Sequence, residues 1–347
     1  MLKQVGEAIA KPLCMIFNSS LQTGQLPWQW KCSTICPIFK KGSKSNPLNY
    51  RPVALTSSIC RLKETIIKDN MLVHLSSNRL ISSEQHGFLP KRSTTTQLLS
   101  CLKDWMDNFD QSIDTNVVYT DFSKAFDKVS HEKLVQILSS YGIKGSILTW
   151  IKNFLVNRQQ MVHINTSSSR KVQITSGVPQ GSVMGPLLFL LYIDDIKDLS
   201  TTGCQAYLFA DDYKVYSTDK HALQQTLNNV SSFTKSRQLT LALPKCNHLL
   251  ITNGNEHTNL KLDNDTLSPV WNVRDLGVQI KHNLKWDLHI TNIKNKAVQR
   301  SYQIFRAFTT KNIWTLLKCY NVYIRPLLEF NTIIWNPRMI KYMNAKN

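Results

Sequence analysis

The chain has 347 residues, with 42 Lys plus Arg against 23 Asp plus Glu, a formal net charge of +19. That length buries a substantial core or divides into two or three subdomains, and a basic excess of this size points to a polyanionic partner. The longest apolar run, Leu187 to Ile193, is far too short to span a bilayer, and no charged-then-apolar leader follows Met1, which argues against membrane and secreted classes.

Apolar spacing predicts an amphipathic helix over Val5 to Leu21 and a strand over Ser33 to Phe39, followed by a basic loop, Lys40 to Lys44. Helices are predicted over Ser58 to Leu75 and Thr95 to Phe109, with Lys63 standing where the first of these expects an apolar residue. Asn116 to Phe122 is rich in β-branched and aromatic residues and reads as a strand, with a helix from His131. Gln159 to Ile164 and Lys171 to Ile174 read as a hairpin leading into a glycine-punctuated loop, Gly177 to Gly181. The apolar segment from Pro186 reads as a buried helix ending in solvated acids, Asp194 and Asp195. Ala206 to Tyr216 alternates like a half-buried strand interrupted by Asp211 and Asp212. A helix over His221 to Phe233, a strand over His248 to Thr252, and helices over Asp287 to Phe308 and Lys311 to Tyr323 complete the pattern.

The charge is uneven. Ile280 to Asn347 holds 12 basic and 2 acidic residues, with Trp286, Trp314, Tyr320, Tyr323 and Trp335 interleaved. Most of these aromatics are expected in a helical core, with the Lys and Arg side chains available to phosphates. The eight cysteines are scattered; Cys32 and Cys36 are close, but no zinc-spaced pair follows, so reduced thiols are expected.

Two adjacent carboxylates at a strand end repel each other. Taken alone, Asp211-Asp212 is also ordinary turn chemistry. Asp121, at the end of an earlier strand, supplies a third carboxylate. Carboxylates from two neighbouring strands can hold two divalent ions roughly 3.5–4 Å apart, the arrangement that serves phosphoryl transfer. Magnesium suits such a site because it takes oxygen ligands and keeps positions open for water and phosphate.

Asp121-Phe-Ser-Lys-Ala-Phe-Asp127, Gly177-Val-Pro-Gln-Gly-Ser182 and Phe209-Ala-Asp-Asp212 together resemble the reverse transcriptase of non-LTR (LINE-type) retrotransposons, of the jockey/CR1-like kind. Further matches fall in order: Pro37 to Gly42, Asn49 to Thr56, Glu84 to Phe88, Thr94 to Gln97, Lys245-Cys246, Asp275-Leu-Gly-Val278, Arg325 to Glu329 and Trp335-Asn-Pro337. The resemblance runs from about Leu26 to Pro337. It implies an α+β right-hand polymerase with an antiparallel palm sheet. Residues 1–25 would form a helical lead-in, 26–285 the fingers and palm, and 286–347 a basic helical thumb.

The same resemblance implies the site. Asp121, Asp211 and Asp212, with the backbone carbonyl of Phe122, would hold two Mg²⁺ ions, or Mn²⁺ in their place. Lys245 would protonate the departing pyrophosphate. Arg51, with Lys40 or Lys41 nearby, would grip the incoming triphosphate, Gln180 and Gly181 would approach the nucleotide, and Phe126 would exclude a 2′-hydroxyl. Core packing for Phe126 and a solvated loop charge for Lys41 are the alternatives. Leu276 and Gly277, in the hairpin that holds the primer end, and Lys294, Lys296 and Arg300 on the thumb would meet nucleic acid. Asp194 and Asp195 are expected not to be ligands. Ala242 departs from the family's common Asn, and Asp194 from another. The implied partners are an RNA template, a DNA primer or target, dNTPs and an element RNA-binding protein, in an intracellular ribonucleoprotein of nucleus and cytoplasm with no membrane. With about 25 residues before the resemblance and ten after it, a separate endonuclease is expected to nick the target. The competing reading is an inactive remnant that only binds RNA or RNA–DNA duplex.

Overall fold

A computed structural model describes residues 6–254, 259–310 and 312–336. They fall into two units, each assembled from separate segments: Met1–Phe88, Phe122–Leu199 and Ser232–Leu241 in the first, Leu89–Asp121, Ser200–Ser231 and Ala242–Asn347 in the second. Val5, Lys311 and Pro337, named above as helix ends and motif members, lie outside the described residues.

In the first unit, the strand Cys32–Phe39 runs antiparallel to the edge strand Tyr50–Leu55 and parallel to Arg158–Ile164. Arg158–Ile164 in turn folds back on Val172–Ile174, as the alternation of the predicted hairpin requires. Helices Gly6–Thr23, Ser58–Ser77, His131–Ser140, Gly145–Leu155 and Met184–Ile193 make up most of the rest. Nine of the ten residues of Met184–Ile193 are buried, the placement expected for a helix apolar on every side. Its first turn is capped from another helix: buried Glu64 accepts the amides of Val183 at 2.7 Å and Met184 at 2.9 Å. Lys63, out of pattern in the sequence, is buried beside the Phe17 ring and donates to the Phe17 carbonyl at 3.1 Å. A buried ammonium thus ties two helices where a hydrophobic residue was expected.

The second unit is built on a five-stranded sheet in the order Pro269–Val270, Asn247–Ile251, Thr115–Thr120, Asp212–Ser217, Gln205–Phe209. Only the short Pro269–Val270 pairing is parallel; the rest is antiparallel. Leu98, Cys101, Leu102 and Trp105, at helical spacing on Thr94–Asp110, pack with Val117, Tyr216 and Leu249 from the sheet. Val273, Val278 and Ile280 of the hairpin Asn272–Asp275/Val278–Lys281 join the same core, as do Ile290 and Trp335.

Two expectations need correction. Of the five C-terminal aromatics, Trp335 is buried, but Trp314 is 77% exposed and Tyr320 and Tyr323 are also open to solvent. Basic and aromatic residues there alternate without the period that would collect the rings on one face. The helix expected over 311–323 is Ile313–Cys319, running into a wider π-type turn, Tyr320–Ile324, before Arg325–Glu329. Among the described residues no helix is long and apolar enough to cross a membrane. All eight cysteines are free thiols.

Candidate active site

The three aspartates meet at one end of the five-stranded sheet. Thr120 pairs with Tyr213, and the same register carried one rung further sets Asp121 opposite Asp212. Thr120 Oγ1 reinforces that end by donating to the Tyr213 carbonyl at 3.1 Å. Strands Gln205–Phe209 and Asp212–Ser217 are joined through Ala210 and Asp211 alone, and Ala210 takes a positive φ of 57°. Glycine, Asn or Asp would take that conformation with less strain, so the turn holds a costly backbone at the carboxylates.

Electrostatics agree with the geometry. Loss of hydration pushes the Asp212 carboxyl up to about 6, with Asp211, Asp121 and Asp275 adding repulsion and Lys214 opposing it. The rim of Asp212 stays open to solvent, so repulsion among neighbours matters beside dehydration. Lys245 Nζ lies 3.2 and 3.3 Å from the two Asp121 oxygens. Asp121 also accepts, at its backbone carbonyl, the amide of Ala242 at 2.7 Å, a contact that asks nothing of the Ala242 side chain.

Among the described residues no three His, Cys, Asp or Glu side chains are drawn tightly enough to enclose an ion. The donor set nonetheless fits hard divalent cations: carboxylate oxygens only, mutual repulsion that a cation would relieve, and one exposed ammonium as counter-charge.

The nucleotide-side candidates lie in the first unit. Gly177 has φ +87°, and a Cβ there would sit 2.8 Å from backbone atoms of Phe126 and Asp127. Gly181 has φ +117°, and a Cβ there would sit 2.4 Å from the Ala54 carbonyl oxygen. The Ala54 amide donates to the Gln180 carbonyl at 2.6 Å, fixing the loop to the strand that carries Arg51. The Gln180 side chain is committed locally, its Nε2 donating to Asp127 Oδ1 at 2.9 Å. Phe126 stacks on Phe189 with ring centroids 4.4 Å apart, so it is half-buried packing and half-exposed surface. Arg51 and Lys41 are exposed. Phe122 is a buried side chain whose strand segment bridges to Leu241.

In the second unit, Leu276 and Gly277 form a two-residue turn with φ 43° and 94°. The Gly277 Cα faces the Phe330 ring, where a Cβ would come within 2.8 Å. Lys294, Lys296 and Arg300 are exposed on the helix Asp287–Ala307, with Lys296 and Arg300 one turn apart on one face and Lys294 on another.

Asp194 is not a solvated acid, contrary to expectation. It is 1% exposed and accepts from Tyr141 Oη, Lys197 Nζ and the Ser82 amide, while Asp195 pairs with Arg237.

The profile of the reverse transcriptase (RNA-dependent DNA polymerase) family matches residues 38–280. The chain belongs to that family. The probable RNA-directed DNA polymerase from transposon BS of Drosophila melanogaster is 28% identical, over 93% of this reverse transcriptase chain and 38% of its own length. The RNA-directed DNA polymerase from mobile element jockey of the same organism is 25% identical, over 88% and 34%. Both relatives belong to the non-LTR retrotransposons, and the chain spans little more than a third of their length. Telomerase from Candida tropicalis, solved with a TWJ fragment of telomeric RNA, superimposes with a TM-score of 0.57 at 11% identity, over 97% of this chain and 60% of its own. The apo form gives 0.56 at 10%, over 97% and 66%. The shared architecture is the right-hand polymerase fold. Reverse transcriptases as a family work with divalent metal.

The pairing of Lys214 with the Asp275 carboxylate, and the capping role of Glu64, emerge only from the fold. A lone lysine in the otherwise apolar strand Tyr213-Lys-Val-Tyr216 was the available signal, since a buried lysine demands a partner.

Proposed function

We propose that this chain is an RNA-directed DNA polymerase domain that adds deoxynucleotides to a DNA 3′-hydroxyl along an RNA template. The observation that carries the reading is the meeting of Asp121, Asp211 and Asp212 at one sheet end, with Asp212 raised to about 6 by loss of hydration and by its neighbouring carboxylates. Residues 26–285 act as fingers and palm and 286–347 as thumb. Asp121, Asp211 and Asp212, with the Phe122 carbonyl, would hold two Mg²⁺ ions, or Mn²⁺ in their place. When bound, the metal supplies acidification of the 3′-hydroxyl and charge neutralisation on the triphosphate.

The chain's own residues do the rest. Lys245, whose Nζ lies 3.2 Å from Asp121 Oδ1, offsets the charge of that carboxylate and would be the proton donor to the departing pyrophosphate. Arg51 and Lys41, exposed on one strand and its loop, meet the triphosphate, Arg51 through a planar fork suited to phosphate oxygens. Gln180 and Gly181 present backbone to the nucleotide, and Phe126, braced by Phe189, leaves no room for a 2′-hydroxyl. The hairpin tip Leu276-Gly277 holds the primer end, and Lys296 and Arg300, with a smaller contribution from Lys294 on another face, meet duplex phosphates. An intracellular element RNA-binding protein and a separate endonuclease are the further partners this reading calls for.

The test is primer extension on poly(rA)/oligo(dT) with dTTP and Mg²⁺, beside the Asp211→Ala variant. Extension lost in the variant supports the reading; no extension by folded wild type that still binds the duplex overturns it in favour of a binding remnant.

A further inference from the structure

Lys214 lies two residues beyond Asp212 on the same strand, one strand in from the sheet edge, paired with Tyr119 on one side and Tyr207 on the other. Its side chain is 3% exposed, and Nζ meets Asp275 Oδ2, itself 5% exposed, at 2.5 Å. The ammonium also sits against two ring faces, 5.5 Å from the Trp105 centroid and 5.7 Å from that of Tyr119. Asp275 is the last residue of its strand, directly before the turn Leu276-Gly277.

Stability does not account for this pair. Removing two charges from water costs more than their attraction commonly returns, and well-packed apolar residues of similar size usually hold a core as well or better. Apolar contacts already fasten the hairpin: Val273, Val278 and Ile280 are all buried in the common core. Those contacts are non-directional and tolerate sliding, whereas an ammonium between two rings and one carboxylate has a single good position.

We infer that the Lys214–Asp275 ion pair is a strut that fixes the register between the strand bearing Asp212 and the hairpin Asn272–Lys281, aligning the primer end with the carboxylates. Lys214 and Asp275 are therefore positioning residues. They act through Asp212 and the hairpin turn and touch no reacting atom. The inference rests on the proposed polymerase reading for its consequence, but not for the geometry.

The test compares wild type with Lys214→Met, Asp275→Leu and the double variant. Each single change leaves a buried charge without its partner, so loss of folding is expected for one or both. The double variant restores an apolar pair and is expected to fold with an unchanged or higher melting temperature. Its extension rate on poly(rA)/oligo(dT) should fall at least tenfold at saturating dTTP, while its Kd for the duplex changes less than threefold. A merely structural pair would leave kcat and Kd moving together with the folded fraction.

Hydrogen exchange supplies a readout that needs no catalysis. Amides of Val273 to Ile280 should exchange at least tenfold faster in the double variant, with those of Thr115 to Thr120 unchanged. Unchanged hairpin exchange, or wild-type kcat in the double variant, overturns the strut. A wild type that binds duplex but never extends it overturns the polymerase reading, and the exchange result still decides the strut.

Discussion

Asp194-Asp195 and Asp211-Asp212 are both adjacent acid pairs behind an apolar run, yet the chain treats them oppositely. The first pair follows a helix, and protein groups fill its lone pairs: Tyr141, Lys197 and the Ser82 amide on Asp194, Arg237 on Asp195. The second pair sits at a hairpin turn, where the neighbours of Asp212 include two further carboxylates, Asp211 and Asp121. A carboxylate whose partners are already supplied is a structural element. One whose charge is disfavoured by burial and by neighbouring carboxylates, as at Asp212, is a place where a cation would relieve the cost.

The largest expected effect breaks the comparison cleanly. Asp212→Asn should lower extension at least ~1,000-fold, equivalent to about 4 kcal/mol of transition-state stabilisation. Its metal-free melting temperature should stay level or rise, because a poorly hydrated charge that its neighbours repel is removed. Asp194→Asn should do the reverse. It leaves Tyr141 Oη and Lys197 Nζ without the oxygen they donate to, and an unsatisfied donor at a buried site costs roughly 1–3 kcal/mol, lowering the melting temperature while the folded fraction keeps its specific activity. If both substitutions cost the same in the same assay, the distinction between the pairs fails.

What could be read in advance follows the same division. The strands, the order of Asp121 before Asp211-Asp212, and the buried apolar helix were legible because periodicity reports which face meets a core. The fate of Asp194 was not, because Tyr141 and Ser82 lie 53 and 112 residues away in sequence. Lys63 and Lys214 were opaque for the same reason, each explained by a partner on another element. Gly181 was legible as a turn residue, but the Ala54 carbonyl that forbids a side chain there emerges only from packing. The C-terminal aromatics were misjudged because hydrophobicity predicts burial only where a face exists to receive it.

A smaller effect concerns pH. The folded state of Asp212, raised to about 6, binds its proton more tightly than the unfolded chain does. Lowering the pH through 6 toward the ordinary aspartate range therefore removes a penalty that is fully present above it, and stability from this group rises as pH falls. With metal chelated, the melting temperature of wild type minus that of Asp212→Asn should become more favourable to wild type between pH 7.5 and 5. A pH-independent difference would mean that neither burial nor its neighbours raise the Asp212 carboxyl.

Smaller still is the effect of freeing Asp195. Arg237→Gln removes its cation at a partly exposed site, where such pairs contribute about 0–1 kcal/mol. Activity should be unchanged and calorimetry should detect no new divalent-ion site, because Asp195 would gain water and the adjacent Asp194 keeps its own protein partners. A new site at that position would mean that capacity, and not crowding, makes the difference.

The same reasoning applied to cations gives the finest test. Lys197, Lys214 and Arg237 are spent on carboxylates within the protein, whereas Lys296 and Arg300 project from one exposed face of the helix Asp287–Ala307. Charges of the second kind release counterions from a nucleic acid backbone, with a salt slope of roughly 0.9 per phosphate contact on B-DNA. Replacing both Lys296 and Arg300 with Gln should weaken RNA–DNA duplex binding at low salt. It should also flatten log Kd against log salt by up to about two such contacts. Lys294, on another face, should change the slope by less when replaced alone. An equal change from Lys294 would mean that the basic helix attracts duplex as a diffuse field, and that no single face of it lies against the phosphates.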